Sequence, residues 1–321
     1  MTRKTIVVTE PIHEDGLAVL EASGHEVVAL PAGASKARIA EAAAGAAALL
    51  VRTAVFDAET LARANGLEVV SRHGVGCDNI DVAHMSGRGL PVAIAADANS
   101  TSVSEHALGL LLAGAKRLPG SDAAMRGEDW GWRSKSIGLE LRGAEALVIG
   151  VGRVGSRVAR LLLAFGMEVR GYDPYLDALP EGVARAEDLD AALGEVDAVM
   201  IHVPLKDDTR NMFDAGRLGR VKPGAYVINC ARGGIVDEPA MRAALERGPV
   251  GFYGTDVFLK EPPEAGDPLF PPEKSMLSPH SAAMTSASMR MMAVQAAENV
   301  VAALEGKLDP RCVFNREELG L

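Results

Sequence analysis

Short apolar runs alternate with helically spaced stretches along most of the chain. Residues 6–8, 26–30, 48–51, 68–70 and 91–95 read as strands, and 14–23, 35–43, 58–65 and 82–87 carry helical spacing between them. Strands that are apolar on both faces and separated by helices predict a parallel sheet covered on both sides. An apolar helix over 101–116 follows, with Glu105 and His106 inside it, and then a more polar stretch, 120–141, carrying Trp130 and Trp132. A second strand–helix series starts at Ala146, with strands at 146–149, 168–172, 198–201, 225–228, 250–252 and 275–277. One long amphipathic helix, 284–306, comes after it.

This order predicts an α/β protein of two doubly wound parallel-sheet domains. The second series begins near the middle of the chain, and a helix remains after that series is complete. That helix is expected to return to the first domain. Residues 1–98 plus 288–321 would then form one discontinuous domain, with residues 99–287 inserted in it and a cleft between the two.

The second series opens on a motif with chemical meaning. Four apolar residues, Ala146 to Ile149, run into Gly150-Val151-Gly152-Arg153-Val154-Gly155, and helical spacing resumes at once. In a strand–turn–helix of this kind Gly150 lets the chain turn, Gly152 leaves room for a pyrophosphate against the backbone, and Gly155 lets helix and strand pack closely. The helix start offers unpaired N–H groups and the positive end of its dipole to the phosphates. The second strand ends at Asp173, where a carboxylate accepts hydrogen bonds from ribose hydroxyls and repels a 2′-phosphate. No basic residue stands next to Asp173 in the sequence, so the pattern favours NAD over NADP. The inserted domain is thus read as a Rossmann cofactor domain and the discontinuous one as a flavodoxin-like substrate domain.

Composition narrows the partners. The 321 residues are 48% hydrophobic and 24% charged, with a net charge of −10. An acidic balance argues against binding a nucleic-acid backbone, although a local arginine cluster can still bind a small anion. Three cysteines without C-x-x-C spacing imply neither a disulfide framework nor a zinc site, and no metal is expected. The first apolar run reaches Glu10 quickly and reads as a strand, not a signal peptide. The longest apolar stretch, 42–51, is too short to span a bilayer, and a cytoplasmic protein is expected.

Three segments follow strands of the second series, where open parallel sheets bind ligands. They are 229–234, 254–262 and 278–280, and each holds one group suited to reducing a 2-keto acid. Arg232 supplies a permanent planar cation with a fork of donors for the substrate carboxylate. His280 can donate a proton near neutral pH to the oxygen that gains charge when hydride reaches the keto carbon. Glu261, placed beside the imidazole, would orient it and favour its charged form.

With these residues in place the chain resembles the D-isomer-specific 2-hydroxyacid dehydrogenases, and most closely their phosphoglycerate dehydrogenase branch. The matching pieces are residues 72–81 (RHGVGCDNID), Asn99 with Ser104-Glu105-His106, residues 150–155, Tyr172-Asp173-Pro174, His202-Val203-Pro204-Leu205, residues 229–238, residues 256–262 and Pro279-His280. The resemblance implies catalytic roles for Arg232, Glu261 and His280. It implies carboxylate binding by the Val75 and Gly76 backbone and a nicotinamide-amide contact at Asp256. Cofactor contacts would fall on Gly150, Gly152, Arg153, Val154, Gly155, Asp173, His202, Pro204, Thr209, Cys230, Ala231 and His280. Asn99 would also bind substrate, and Arg52, Arg72 and Arg133 would face its far end, where a phosphate or second carboxylate fits. The resemblance further implies a homodimer built through the cofactor domains, with helix 101–116 and the Trp130–Trp132 segment shared between subunits. The regulatory domains that follow in longer phosphoglycerate dehydrogenases are expected to be missing.

The expected reaction interconverts a D-2-hydroxy acid and its 2-keto acid with NAD, with 3-phosphoglycerate and hydroxypyruvate or glyoxylate as candidate substrates. Formate dehydrogenases of the same fold lack a glutamate at the Glu261 position and are disfavoured, whereas phosphite oxidation uses a similar triad. A reading of a different class is an NADH-responsive regulatory protein of the same fold with little turnover.

Overall fold

A computed structural model describes residues 3–267 and 269–321. It divides into two units, residues 1–99 with 284–321, and residues 100–283. The strands of the first unit are β1 (Thr5–Val8), β2 (Glu26–Ala29), β3 (Ala48–Val51), β4 (Val69–Arg72) and β5 (Val92–Ile94). They form one all-parallel sheet in the order β2-β1-β3-β4-β5, the order of flavodoxin-like folds.

Side chains alternate across a strand, and the sheet uses both faces. Val7, Leu49, Val51 and Val70 pack on one side with Ile39, Ala43 and Leu61. Ile6, Val8, Leu50 and Val69 pack on the other with Ala296, Ala297 and Val300 of the helix Ser286–Leu304. That helix therefore belongs to the first unit. The Ser71 hydroxyl donates to Ala296 O (2.8 Å), and Asn299 Nδ2 donates to Ile94 O (2.9 Å). Helix Glu14–Ala22 crosses it at Gly16, where a Cβ would stand 2.7 Å from Ala293 O. Only glycine permits that approach.

The second unit contains β6 (Glu145–Ile149), β7 (Glu168–Tyr172), β8 (Val183–Arg185), β9 (Ala198–Ile201), β10 (Tyr226–Asn229), β11 (Phe252–Thr255) and β12 (Ser275–Leu277). All seven are parallel, in the order β12-β11-β10-β9-β6-β7-β8. The chain starts at β6, winds outward through β7 and β8, and returns to β9 on the other side. The switch point therefore lies between β6 and β9, as in a Rossmann sheet. Helices Ser100–Ala115 and Arg153–Ala164 cover one face, and the helices after β8, β9 and β10 cover the other. Because every strand runs the same way, the loops after β6, β7, β9, β10, β11 and β12 emerge along one edge.

Two details differ from the pattern in the sequence. The edge strand β8 has no counterpart there, because it is three residues long and two of them are exposed. Strand β11 lies at Phe252–Thr255 instead of 250–252, because Gly254 breaks the apolar run on which the reading relied. The polar stretch after residue 116 is a helix, Leu118–Arg126, and a short 3-10 turn, Trp130–Ser134. Leu118, Met125, Trp130 and Ile137 are exposed there. Among the described residues no helix is long and apolar enough to cross a membrane, and no cluster of His, Cys, Asp or Glu could hold a metal ion.

Candidate active site

The loop after β6 is shaped by what its glycines exclude. Gly150 has φ +82°, and a Cβ there would lie 2.6 Å from His202 O. A Cβ on Gly155 would lie 1.9 Å from Gly150 O, so helix and turn touch through that position. Gly152 is different, with no atom within 4 Å of where its Cβ would be. Gly152 also precedes helix Arg153–Ala164 without any side-chain cap, so no capping side chain covers the first N–H groups of the helix. This is the arrangement an anionic pyrophosphate needs.

Asp173, at the end of β7, accepts the Val151 N–H at Oδ2 (2.9 Å) and the Tyr175 N–H at Oδ1 (3.1 Å). It ties the second strand's end to the glycine turn. The sequence shows no basic neighbour for it, but the fold brings Arg185 of β8 close. The Arg185 guanidinium is held by backbone carbonyls, donating to Asp173 O (3.3 Å), Leu176 O (2.8 Å) and Asp177 O (3.1 Å). These bonds go to main-chain oxygens, not to the Asp173 carboxylate. After β9, His202 donates its backbone N–H to Ile149 O (2.8 Å). Burial pushes its imidazole down to about 4, and its buried Nε2 has no partner among the described residues. The turn that follows is closed by Thr209, whose hydroxyl donates to Pro204 O (2.6 Å) and accepts the Lys206 N–H (2.7 Å).

The loop after β10 is bent by Asn229. Its Oδ1 accepts the Ala231 N–H (3.0 Å) and its Nδ2 donates to Arg232 O (2.9 Å). Cys230 is buried, with its thiol pushed up by burial and by the Asp256 charge. Arg232 is half-buried and donates Nη1 to Ala231 O (2.7 Å). Gly233 then runs against the loop after β11, where a Cβ would meet the Phe258 carbonyl carbon at 2.0 Å.

That second loop carries Glu261 and is held at two points. The Phe258 N–H donates to Glu261 Oε1 (2.9 Å), and the Leu259 N–H donates to Glu238 Oε1 (2.6 Å). The other Glu261 oxygen, Oε2, lies 2.6 Å from His280 Nδ1. Burial alone would push the Glu261 carboxyl up. The His280 bond, the Phe258 N–H and the charges of His280 and Arg232 outweigh it and hold it below the usual range. His280 Nε2 has no partner among the described residues, and the ring is half-exposed. The fold thus joins Arg232, Glu261 and His280, which are far apart in sequence, on one edge of one sheet. The arrangement can hold an anion at the guanidinium and move a proton at Nε2.

Asp256 is buried and saturated on one side. Its Oδ1 accepts the Ser278 hydroxyl (2.6 Å) and the Ser281 N–H (2.8 Å), and Oδ2 accepts the Ala282 N–H (2.8 Å). A carboxylate has about four acceptor positions, and these bonds fill three of them.

Of the remaining predicted positions, Arg133 lies in the second unit, in the 3-10 turn Trp130–Ser134 with its guanidinium 5.8 Å from the Trp130 ring centre, and the others lie in the first unit, at the C-terminal ends of its strands. Arg52 follows β3 and donates Nη1 to Pro11 O (3.3 Å). Glu10 accepts the N–H groups of Arg52 (3.0 Å), Thr53 (2.6 Å) and Ala54 (2.9 Å), which fixes that turn. Arg72 ends β4 and bonds to His73 O. Val75 and Gly76 are half-buried in the turn beyond it, and Asn99 is half-buried in the turn preceding helix Ser100–Ala115. His73 is pushed down to about 4 by burial and by the charges of Arg52 and Arg72, so two guanidinium groups act on one imidazole.

Sequence reasoning assigned no role to Glu238, Asn229 or Glu10. Glu238 reads as an ordinary first-turn acid after the Asp237 cap, and nothing local marks its bond to Leu259. Asn229 was legible in principle, because an asparagine three residues before an arginine in a Gly-rich loop can cap that turn.

Comparison with known proteins agrees with this geometry. Residues 108–282 match the sequence pattern described as "D-isomer specific 2-hydroxyacid dehydrogenase, NAD binding domain". The D-3-phosphoglycerate dehydrogenase of Methanocaldococcus jannaschii is 36% identical over 98% of this chain and 61% of its own length. The chain spans between half and about three-fifths of the curated relatives it matches. A crystal structure from Thermus thermophilus superposes with a TM-score of 0.86 at 32% identity, covering 97% of this chain and 99% of that one. A D-lactate dehydrogenase from Aquifex aeolicus, solved with NAD and lactic acid, gives 0.82 at 27% identity over 94% and 96%. Residues 108–282 are an NAD binding domain, and the chain belongs to the D-isomer specific 2-hydroxyacid dehydrogenases.

Proposed function

We propose that the chain is an NAD-dependent dehydrogenase that interconverts a D-2-hydroxy acid and its 2-keto acid. The observation that carries this reading is the 2.6 Å contact between His280 Nδ1 and Glu261 Oε2 beside Arg232. NAD, which accepts or returns the hydride, fits the open space at Gly152, the Asp173 carboxylate and the unused acceptor of Asp256. With Nδ1 engaged by Glu261, His280 presents Nε2 as the atom that takes the hydroxyl proton in oxidation and returns it in reduction. Glu261 keeps the ring's tautomer fixed and stabilises its charged form. Arg232 binds the substrate carboxylate, with the Val75 and Gly76 amides proposed as further donors.

Among the candidate substrates we place 3-phosphoglycerate first, ahead of hydroxypyruvate and glyoxylate. The support is twofold. Arg52 and Arg72 stand at the ends of neighbouring strands β3 and β4, two cations that a second anionic group on the substrate would suit, and the Methanocaldococcus jannaschii relative carries that substrate in its name. We read the exposed apolar side chains Leu118, Met125, Trp130 and Ile137 as the contact of a homodimer, which sedimentation velocity tests.

A steady-state panel decides the activity. It uses 3-phosphoglycerate and D-lactate in oxidation, and hydroxypyruvate and glyoxylate in reduction, with NAD(H) and NADP(H) in parallel. The expected result is kcat/KM at least about tenfold higher with NAD(H) and highest for the phosphorylated acid. Absence of turnover with every acid overturns the reading.

A further inference from the structure

A chain of hydrogen bonds in the second unit ends on an imidazole that the mechanism above does not use. His106, on helix Ser100–Ala115, has Nε2 2.8 Å from Ser278 Oγ. Ser278 Oγ is 2.6 Å from Asp256 Oδ1. The same carboxylate receives the N–H groups of Ser281 and Ala282, both at 2.8 Å. The N–H of His280 itself donates to the Asp256 main-chain oxygen at 2.9 Å. Asp256 therefore holds three consecutive residues of the turn that carries His280.

That turn needs holding. His280 has φ +49°, in the left-handed region that a residue with a Cβ adopts only where surrounding contacts enforce it. The bonds at that turn run to Asp256, to Ser278 O from the His280 N–H (3.1 Å), and from the ring to Glu261.

Proton positions along the chain follow from counting. Backbone N–H groups point at both Asp256 oxygens, so the carboxylate is an acceptor toward its neighbours. The Ser278 hydroxyl has one proton, and its short bond to Oδ1 uses it. Toward His106 the serine oxygen offers only lone pairs, so Nε2 must carry the proton. An imidazole protonated only at Nδ1 would set two lone pairs against each other.

We propose that His106 is a positioning residue, acting as the Nε2–H tautomer. Through Ser278 it fixes the Asp256 carboxylate and, with it, the turn that presents His280 to Glu261. This deepens the dehydrogenase reading and rests on it for its effect on turnover.

Two measurements on the full chain test it. Nitrogen-15 NMR of histidine-labelled protein above neutral pH, which needs no turnover, is expected to find His106 protonated at Nε2 and bare at Nδ1. In steady state His106→Leu and Ser278→Ala are each expected to lower kcat about 10–100-fold, the scale of a misplaced catalytic group. KM for the acid should stay within about threefold, and His106→Gln, whose amide N–H can reach the same hydroxyl, should recover most of kcat. An Nδ1–H tautomer at His106 overturns the proposal. So does unchanged kcat in His106→Leu, or a loss that His106→Gln does not recover. Should His106→Leu fail to fold, Ser278→Ala carries the same comparison. If the unaltered chain turns over none of the acids, the dehydrogenase reading fails, and the NMR result still decides the hydrogen-bond chain.

Discussion

His280 Nδ1 lies 2.6 Å from Glu261 Oε2, although the two residues leave different strands of the same sheet. A carboxylate at that distance favours the charged imidazole. Glu261→Gln keeps an oxygen for the Nδ1 proton but removes the charge. We expect kcat for keto-acid reduction to fall about tenfold or more. Unchanged kcat would separate Glu261 from the proton-transfer step.

Two glycines of one turn should respond in opposite ways to alanine. At Gly155 the added Cβ would meet Gly150 O at 1.9 Å, so Gly155→Ala should destabilise the unit by about 3 kcal/mol or more. A fall in melting temperature reads that out. At Gly152 the Cβ meets nothing and φ is −72°, so Gly152→Ala should melt within a degree or two of the unaltered chain. Its NADH affinity, followed by fluorescence titration, should drop at least about tenfold. Equal NADH affinity in the two chains would contradict a pyrophosphate at this turn.

Asp173 takes the Val151 N–H on its carboxylate, while Arg185 bonds its main-chain oxygen. Asp173→Ala should weaken NADH more than NADPH and narrow the preference between them by about tenfold or more. Parallel titrations with both cofactors measure it, and a preserved ratio would place the ribose elsewhere.

His73 gives the fold an acid-sensitive point. Burial, with Arg52 and Arg72 adding to it, lowers this imidazole from 6.5 to about 4. The unfolded chain therefore takes up a proton in that window while the folded chain does not, and stability falls as pH drops from 6.5 toward 4. A shift of that size corresponds to about 3 kcal/mol. Chemical denaturation at pH 7 and pH 4.5 should show most of this loss, and His73→Gln should show less of it.

The sequence carried the parallel sheets and the glycine turn because both are local signals: continuous apolar strands, and glycines at fixed offsets. The convergence of Arg232, Glu261 and His280 was legible for a different reason. Each follows a strand of a parallel sheet, and parallel strands put their ends on one edge. What stayed hidden depends on contacts between distant loops. Leu259 bonds Glu238 across 21 positions, and Ser278 reaches Asp256 across 22. Residue spacing holds no trace of such bonds. Arg185 was hidden because β8 is a short, exposed edge strand that periodicity does not mark.

The most direct test is the kcat of His280→Asn beside that of the unaltered chain, with NADH binding followed in both. A general acid–base group contributes about 10²–10⁴-fold. The prediction is a loss of kcat in that range with NADH affinity changed by less than about threefold. Turnover close to that of the unaltered chain would contradict proton transfer by His280.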